Sequence, residues 1–226
     1  MAERGLAISA TDYARAQDGL AAWRAAVGAA TAPSSLVTSH MLADIIIGTT
    51  NANAAYVVYG QKDATATTVN MVAGSIPASQ GFKISGAANS GLGIQVSSAG
   101  DVNGDGLADV LVGTKTNTVY VVYGNSTGNA LDLSSGVINA SQGYKVTGAG
   151  NFGAIGANQM SSLGDVNGDG LSDLLLGDTS APSISKASYV IYGNATGTGL
   201  DFSSGILAAS QGFKITDDGL GSNFGA

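Results

Sequence analysis

Six of the fifteen aspartates in this 226-residue chain lie in two nine-residue stretches. Asp101-Val-Asn-Gly-Asp-Gly-Leu-Ala-Asp109 recurs as Asp165-Val-Asn-Gly-Asp-Gly-Leu-Ser-Asp173, with Ala108 against Ser172 the only difference. Side-chain oxygens stand at the first, third, fifth and ninth positions: Asp101, Asn103, Asp105 and Asp109 in one copy, Asp165, Asn167, Asp169 and Asp173 in the other. Such a hard donor set suits Ca²⁺, which takes about 6–8 oxygens and tolerates the irregular geometry of a loop. Gly104, Gly106, Gly168 and Gly170 let the backbone curl at positive φ. The carbonyls of Leu107 and Leu171 then turn inward as further ligands. Mg²⁺ suits the loops less well, because it demands a tighter octahedron and keeps its waters. Asn-Gly and Asp-Gly are also ordinary hairpin signals, but two near-identical nonapeptides exceed what a turn requires. Two Ca²⁺ sites are expected.

Little else in the composition can do chemistry. With no cysteine, disulfides, thiolate zinc sites and cysteine nucleophiles are excluded. His40 is the sole histidine and Glu3 the sole glutamate. His40 lies in a stretch that does not repeat and reads as a solvated linker residue, so no acid, base or nucleophile is poised for catalysis. The chain is expected not to be an enzyme. Its net charge of −7 falls to roughly −1 once the six motif aspartates are set aside, so the acidity is local. Without a basic stripe, nucleic acid is not expected as a partner. No apolar run reaches the ~18 residues of a membrane span, since Arg24 interrupts Leu20 to Ala32. Met-Ala-Glu-Arg-Gly at the start lacks the apolar core of a signal peptide.

The elements that must hold the loops repeat as well. Leu42-Ala-Asp-Ile-Ile-Ile-Gly48, Leu107-Ala-Asp-Val-Leu-Val-Gly113 and Leu171-Ser-Asp-Leu-Leu-Leu-Gly177 align. So do Tyr56-Val-Val-Tyr-Gly60, Tyr120-Val-Val-Tyr-Gly124 and Tyr189-Val-Ile-Tyr-Gly193. A third set is Ala78-Ser-Gln-Gly-Phe-Lys-Ile84, Ala140-Ser-Gln-Gly-Tyr-Lys-Val146 and Ala209-Ser-Gln-Gly-Phe-Lys-Ile215. The period is 65 residues from Asp44 to Asp109 and 64 from Asp109 to Asp173. Runs such as Asp-Leu-Leu-Leu show no polar alternation and predict strands buried on both faces. Phe-Lys-Ile and Tyr-Lys-Val alternate, as an outer strand with one wet face should. A strand before each aspartate loop is predicted over Gly93–Ser97 and over 155–162. Four strands per unit is the content of a propeller blade. Residues 1–40 predict a short N-terminal helix and linker, with Tyr13, Leu20, Trp23 and Val27 at helical spacing before Pro33. Residues 41–226 predict three units, near 41–89, 90–150 and 151–226.

The flanks exclude other users of the loop. An EF-hand needs a carboxylate at the twelfth position, where Val112 and Leu176 stand. Dockerins follow their loop with a helix, and thrombospondin-type repeats carry cysteines. Asn151-Phe-Gly-Ala-Ile-Gly156, Leu163 through Gly177 and Tyr189–Gly193 together resemble FG-GAP repeats of integrin alpha-subunit-like calcium-binding propellers, over roughly Met41 to Ala226. The resemblance implies that each loop joins two neighbouring strands of one blade and that its Ca²⁺ is structural. It implies an all-β fold of about three four-stranded propeller blades. It further implies a module for protein or glycan recognition and adhesion, at the cell surface or outside the cell. A non-catalytic propeller portion of a larger hydrolase and a lectin-like sugar-binding propeller are the alternatives. The first unit departs from the pattern, with Thr38-Ser-His-Met-Leu-Ala-Asp44 where a loop belongs, so Asp44 is an orphan ninth residue.

Three units are too few for a closed propeller of 4–8 blades. Three resolutions are open: a larger protein, cover from the N-terminal segment, or association with further copies. Homo-oligomerisation is the favoured expectation, because closure alone removes sheet edges. Six of the eight tyrosines lie in the Tyr-Val-x-Tyr-Gly strands and are assigned to core packing. The sequons at Asn125, Asn139 and Asn194 are assigned to turn chemistry.

Overall fold

The computed structural model describes residues 44–60, 69, 74–116, 118–148, 160–178, 187–204 and 206–216. The chain divides into two compact units, Met1–Ser39 and His40–Ala226. The predicted N-terminal helix, Trp23 and His40 lie outside the described residues, as does Ser35–Thr38, a candidate strand for the first unit.

The described residues are all-β, with thirteen strands in three sheets and a single three-residue 3-10 turn at Thr50–Ala52. The first sheet holds β1 (Ile45–Thr49), β2 (Ala54–Val58) and β3 (Gly81–Gly86), paired antiparallel in that order. The second holds β4 (Val96–Gly100), β5 (Asp109–Gly113), β6 (Thr118–Val122) and β8 (Gly143–Thr147). The third holds β9 (Met160–Gly164), β10 (Asp173–Asp178), β11 (Ala187–Ile191) and β13 (Gly212–Thr216). The four strands predicted per unit are present in the second and third units, and the first unit contributes three among the described residues. Among the described residues the sheets do not close into a ring.

The sheets pack in series, which explains the strands without polar alternation. Val57, Phe82 and Ile84 of the first sheet meet Val110, Val112, Tyr120 and Val122 of the second. Leu111 and Val121, from the same strands' other face, and Tyr144 and Val146 of β8 meet Leu174, Leu176, Tyr189 and Ile191 of the third. A middle strand thus buries both its faces, and every residue of β5 is buried.

Two details correct the sequence reading. The strand predicted at Gly93–Ser97 runs instead over Val96–Gly100, because Gly93 at φ 84° and the Ile94 N–H donating to the Gly91 carbonyl (2.9 Å) make a turn there. The Phe-Lys-Ile and Tyr-Lys-Val strands of the first two units, β3 and β8, are also not the outer edges of their sheets. Leu131–Leu133 (β7) of the second unit pairs in parallel with β3 of the first, and Leu200–Asp201 (β12) of the third unit pairs in parallel with β8 of the second. The second and third units therefore each send a strap back to their predecessor. Leu131, Leu133, Leu200 and Phe202 anchor the straps in the core.

The second tyrosine of the Tyr-Val-x-Tyr-Gly strand secures the strap's approach in the first two units. The Tyr59 hydroxyl donates to the Asn125 carbonyl and accepts from the Gly128 N–H (3.0 Å). Tyr123 donates likewise to the Asn194 carbonyl at 2.6 Å. Gly128 has φ 70°, and a Cβ there would lie 2.0 Å from the Ala78 carbonyl oxygen, so this corner requires glycine. The first tyrosines, Tyr56, Tyr120 and Tyr189, are buried as predicted.

These contacts set up a paired comparison. Tyr123→Phe removes a bond between units, whereas the Tyr144 hydroxyl is buried with no hydrogen-bond partner. Urea unfolding should show Tyr123→Phe less stable by about 1 kcal/mol and Tyr144→Phe unchanged or more stable. The reverse order would deny the strap bond its role.

Candidate metal centre

Each predicted loop joins the first two strands of its sheet, β4 to β5 and β9 to β10. A register shift flanks each loop, between Ser98 and Gly100 in one sheet and at Asp173/Leu174 in the other. Gly104 and Gly106 (φ 78° and 84°) and Gly168 and Gly170 (81° and 88°) take the left-handed conformation expected of them.

Within the first loop the side chains turn inward on the backbone. Asp101 Oδ1 accepts from the N–H groups of Gly104 (2.7 Å) and Asp105 (3.1 Å), and its Oδ2 from Gly106 (2.9 Å). Asn103 Oδ1 accepts from the Asp105 N–H, while its Nδ2 donates to Asp105 Oδ2, both at 2.9 Å. Asp105 Oδ1 accepts from the Leu107 N–H at 2.8 Å. The second loop repeats the pattern with Asp165, Asn167, Asp169 and Leu171. Hydrogen bonds to Asp165, from the Gly170 N–H above all, hold its carboxyl below the usual range.

The ninth residue does something different. Asp109 and Asp173 are fully buried. Asp109 accepts from the Val102 N–H (2.8 Å) and the Gly124 N–H (2.7 Å); Asp173 accepts from Val166 (2.7 Å) and Gly193 (2.8 Å). Each carboxylate thus clamps the start of its loop to the end of the Tyr-Val-x-Tyr-Gly strand. Asp44 makes the same bond to the Gly60 N–H at 2.8 Å, in the unit whose sequence lacks the loop pattern. The ninth aspartate therefore has a task in the fold that is independent of any ion. The glycine partners escaped the sequence reading, although the joint recurrence of Asp and Tyr-Val-x-Tyr-Gly in all three units was the available signal.

The first loop is also a joint between sheets. The carbonyl of Asp101 accepts from the Ser172 N–H and that of Val102 from the Asn194 N–H, both at 2.8 Å. Asn194 in turn binds Thr196 through Oδ1 and donates Nδ2 to the Thr198 carbonyl, and Asn125 repeats this with Thr127 and Asn129. Those two sequons are turn chemistry, as expected. The third asparagine, Asn139, donates to Gln142 Oε1.

Among the described residues, no group of three or more Asp, Glu, His or Cys is gathered to hold a metal. Each carboxylate oxygen offers two lone pairs, however, and one remains free on Asp101 Oδ2, Asn103 Oδ1, Asp105 and Asp109 after the bonds above. With the Leu107 carbonyl, those oxygens match what a hard cation takes, and Asp165, Asn167, Asp169, Leu171 and Asp173 offer the same set. The charge balance favours such a cation. Burial above all, helped by the charges of Asp105 and Asp101, pushes the Asp109 carboxyl up to about 7 despite the bonds from Gly124 and Val102.

Serial four- and five-stranded sheets, the second and third of them entered through such a hairpin loop, form a propeller-type array. The FG-GAP repeat model matches residues 93–129, from the turn before β4 through the first loop, β5 and β6 to the strap. FG-GAP repeats are β-propeller blades, so the fold read from the sequence stands. No curated protein matches this chain.

The raised Asp109 pKa has a pH signature. In chelator, the folded state holds this proton up to about pH 7, and the unfolded state releases it near pH ~3.9. The unfolded state then binds fewer protons between those values, so this group's contribution to stability falls as pH rises through that window. Thermal unfolding in EDTA should show a decline from pH 5 to 7.5 that is smaller in Asp109→Asn. An equal decline in both proteins would contradict the assignment.

Proposed function

We propose that the chain is a calcium-binding propeller module for recognition or adhesion, without catalytic activity, that works at the cell surface or outside the cell. The observation that carries this reading is the twinned loop: two near-identical sets of oxygens, each backed by a buried carboxylate whose neighbouring charges are carboxylates too. Ca²⁺ bound by Asp101, Asn103, Asp105, Leu107 and Asp109, and by the second set, would relieve that repulsion. It would also stiffen the loop whose carbonyls tie one sheet to the next. The ion's role in this reading is structural.

A glycan is the ligand class with specific support. A cavity of about 350 Å³ is lined by Tyr123, Asn125, Thr127 and Gln142 among others, and one of about 220 Å³ repeats the arrangement with Tyr192, Asn194, Thr196 and Gln211. Hydroxyls and amides beside apolar Phe82, Leu107, Val122 and Leu131 in the larger cavity, with no charged side chain in either, suit a neutral ligand with polar and apolar faces rather than a phosphate or an acidic peptide. In the same reading, further copies of the chain close the ring. No helix among the described residues is long and apolar enough to cross a membrane.

Isothermal calorimetry with Ca²⁺ should give two equivalents per chain. Saturation at 100 times Kd should stabilise the fold by about 2.7 kcal/mol per site. Asp105→Ala should remove one equivalent and the Asp105→Ala, Asp169→Ala pair both. Absence of binding heat together with a calcium-indifferent Tm would overturn the proposal.

A further inference from the structure

The two aspartate loops are joined through shared backbone. The Leu171–Ser172 peptide group belongs to the second loop, and its N–H donates to the carbonyl of Asp101, the first residue of the first loop, at 2.8 Å. The carbonyl of that same peptide group, on Leu171, is one of the oxygens offered to a cation by the second loop. A peptide group is planar, so its C=O and N–H are oriented together. One rigid group therefore serves both loops. They also pack closely here: a Cβ on Gly100 would lie 2.4 Å from Ser172 Oγ, and one on Gly104 would lie 3.0 Å from Leu171 Cδ2.

A second link runs between the ninth residues. Asp173 accepts from the Gly193 N–H at 2.8 Å. The next N–H in the chain, on Asn194, donates to the Val102 carbonyl at 2.8 Å, and the Val102 N–H donates to Asp109 at 2.8 Å. Val102, Asp109 and Asp173 are fully buried, so little water competes for this chain of bonds. Among the described residues, the Ala108 N–H, counterpart of the Ser172 N–H in the first loop, donates to no neighbouring sheet.

We infer that the two loops bind Ca²⁺ with positive cooperativity, and that Ser172 and Asn194 are the positioning residues through which they communicate. The inference rests on the calcium reading above and deepens it. With Ca²⁺ on its carbonyl, the Leu171–Ser172 peptide group is polarised, and its N–H becomes a stronger donor to Asp101. With Ca²⁺ in the first loop, the Asp101 and Val102 carbonyls are held, and with them the Ser172 and Asn194 N–H groups that bond to them. Whichever loop fills first, part of the ordering that the other needs is already done. By linkage the gain is the same in both directions. Charge acts in the opposite sense, because an ion in one loop makes the surroundings of the other less negative. Asp105 and Asp169 are exposed, so salt at physiological strength screens that effect beyond about 8 Å. The bonds through buried Val102 are not screened in this way. The seam between the second and third sheets then tightens over a narrow range of calcium concentration, in one step rather than two.

Isothermal calorimetry with Ca²⁺ at physiological salt compares the full chain with Asp169→Ala, which keeps the first loop, and Asp105→Ala, which keeps the second. The product of the two association constants of the unmodified chain should exceed the product of the two single-loop constants by about fivefold or more. Ser172→Pro removes the shared N–H and should turn sigmoidal saturation hyperbolic. Ala108→Pro, the same change at the matching position of the first loop, should leave it sigmoidal. Circular dichroism checks the fold of each variant. Should Ser172→Pro lose its sheet signal, hydrogen exchange in Asp169→Ala takes its place: Ca²⁺ at the first loop should slow exchange of the Ser172 and Asn194 amides, which lie in the other unit. Unchanged exchange at both amides would deny the link. Equal products, with two equivalents still bound, would overturn the cooperativity and leave the calcium reading intact. Sigmoidal saturation that survives Ser172→Pro, or is lost equally in both proline variants, would overturn the role of the shared peptide group. An unmodified chain that gives no binding heat would overturn the calcium reading and this inference together.

Discussion

A buried carboxylate holding a backbone N–H is the interaction around which each unit is arranged. Asp109 and Asp173 sit without solvent contact at the start of a central strand, and each takes its hydrogen bond from the glycine that ends the next strand. A buried charge is costly unless hydrogen-bonded, so the bonds from Gly124 and Val102 are a condition of the fold. They offset only part of the desolvation, which is why Asp109 keeps its proton so far above the ordinary carboxylate range. The residue is thus both the keystone of a hairpin and a source of local electrostatic stress. Neighbouring loop carboxylates add to that stress, and a cation is the one partner that would turn it into attraction.

The loop's position gives that electrostatics mechanical reach. Its side chains serve the interior of the loop, while the carbonyls of Asp101 and Val102 leave it to accept N–H groups of Ser172 and Asn194 in the following unit. Ser172 itself belongs to the second loop. Changes in the first loop therefore act directly on the seam between two sheets, and on the turn that carries Asn194 and one of the polar cavities.

Much of this was legible in the residues, for physical reasons that differ from element to element. The loops announce themselves because oxygen-bearing side chains and glycines are each required at fixed positions. The central strands do so because burial on both faces removes polar alternation. Tyr56, Tyr120 and Tyr189 follow from the same logic. What stayed hidden depends on a neighbour. Leu131-Asp132-Leu133 is too short to announce a strand, and its parallel partner β3 lies some 47 residues upstream, between Ile84 and Leu131. The hydroxyls of Tyr59 and Tyr123 look like core tyrosines until the next unit's carbonyls are placed beside them. Gly93 reads as part of a strand until its positive φ is known.

The straps shift the boundary of the folding unit away from the boundary of the repeat. Sheet one gains its outer strand only when residues 131–133 have left the ribosome, and sheet two only at residues 200–201. Each sheet emerges with an open edge that its successor must cover, and open edges are where chains pair wrongly during synthesis. Maturation then proceeds as a relay in one direction along the chain, with no sheet finished before the next has begun. Excising a single repeat at its sequence period would therefore cut through one structural unit and leave another without its outer strand. The smallest autonomous piece spans a repeat and the first part of the one that follows.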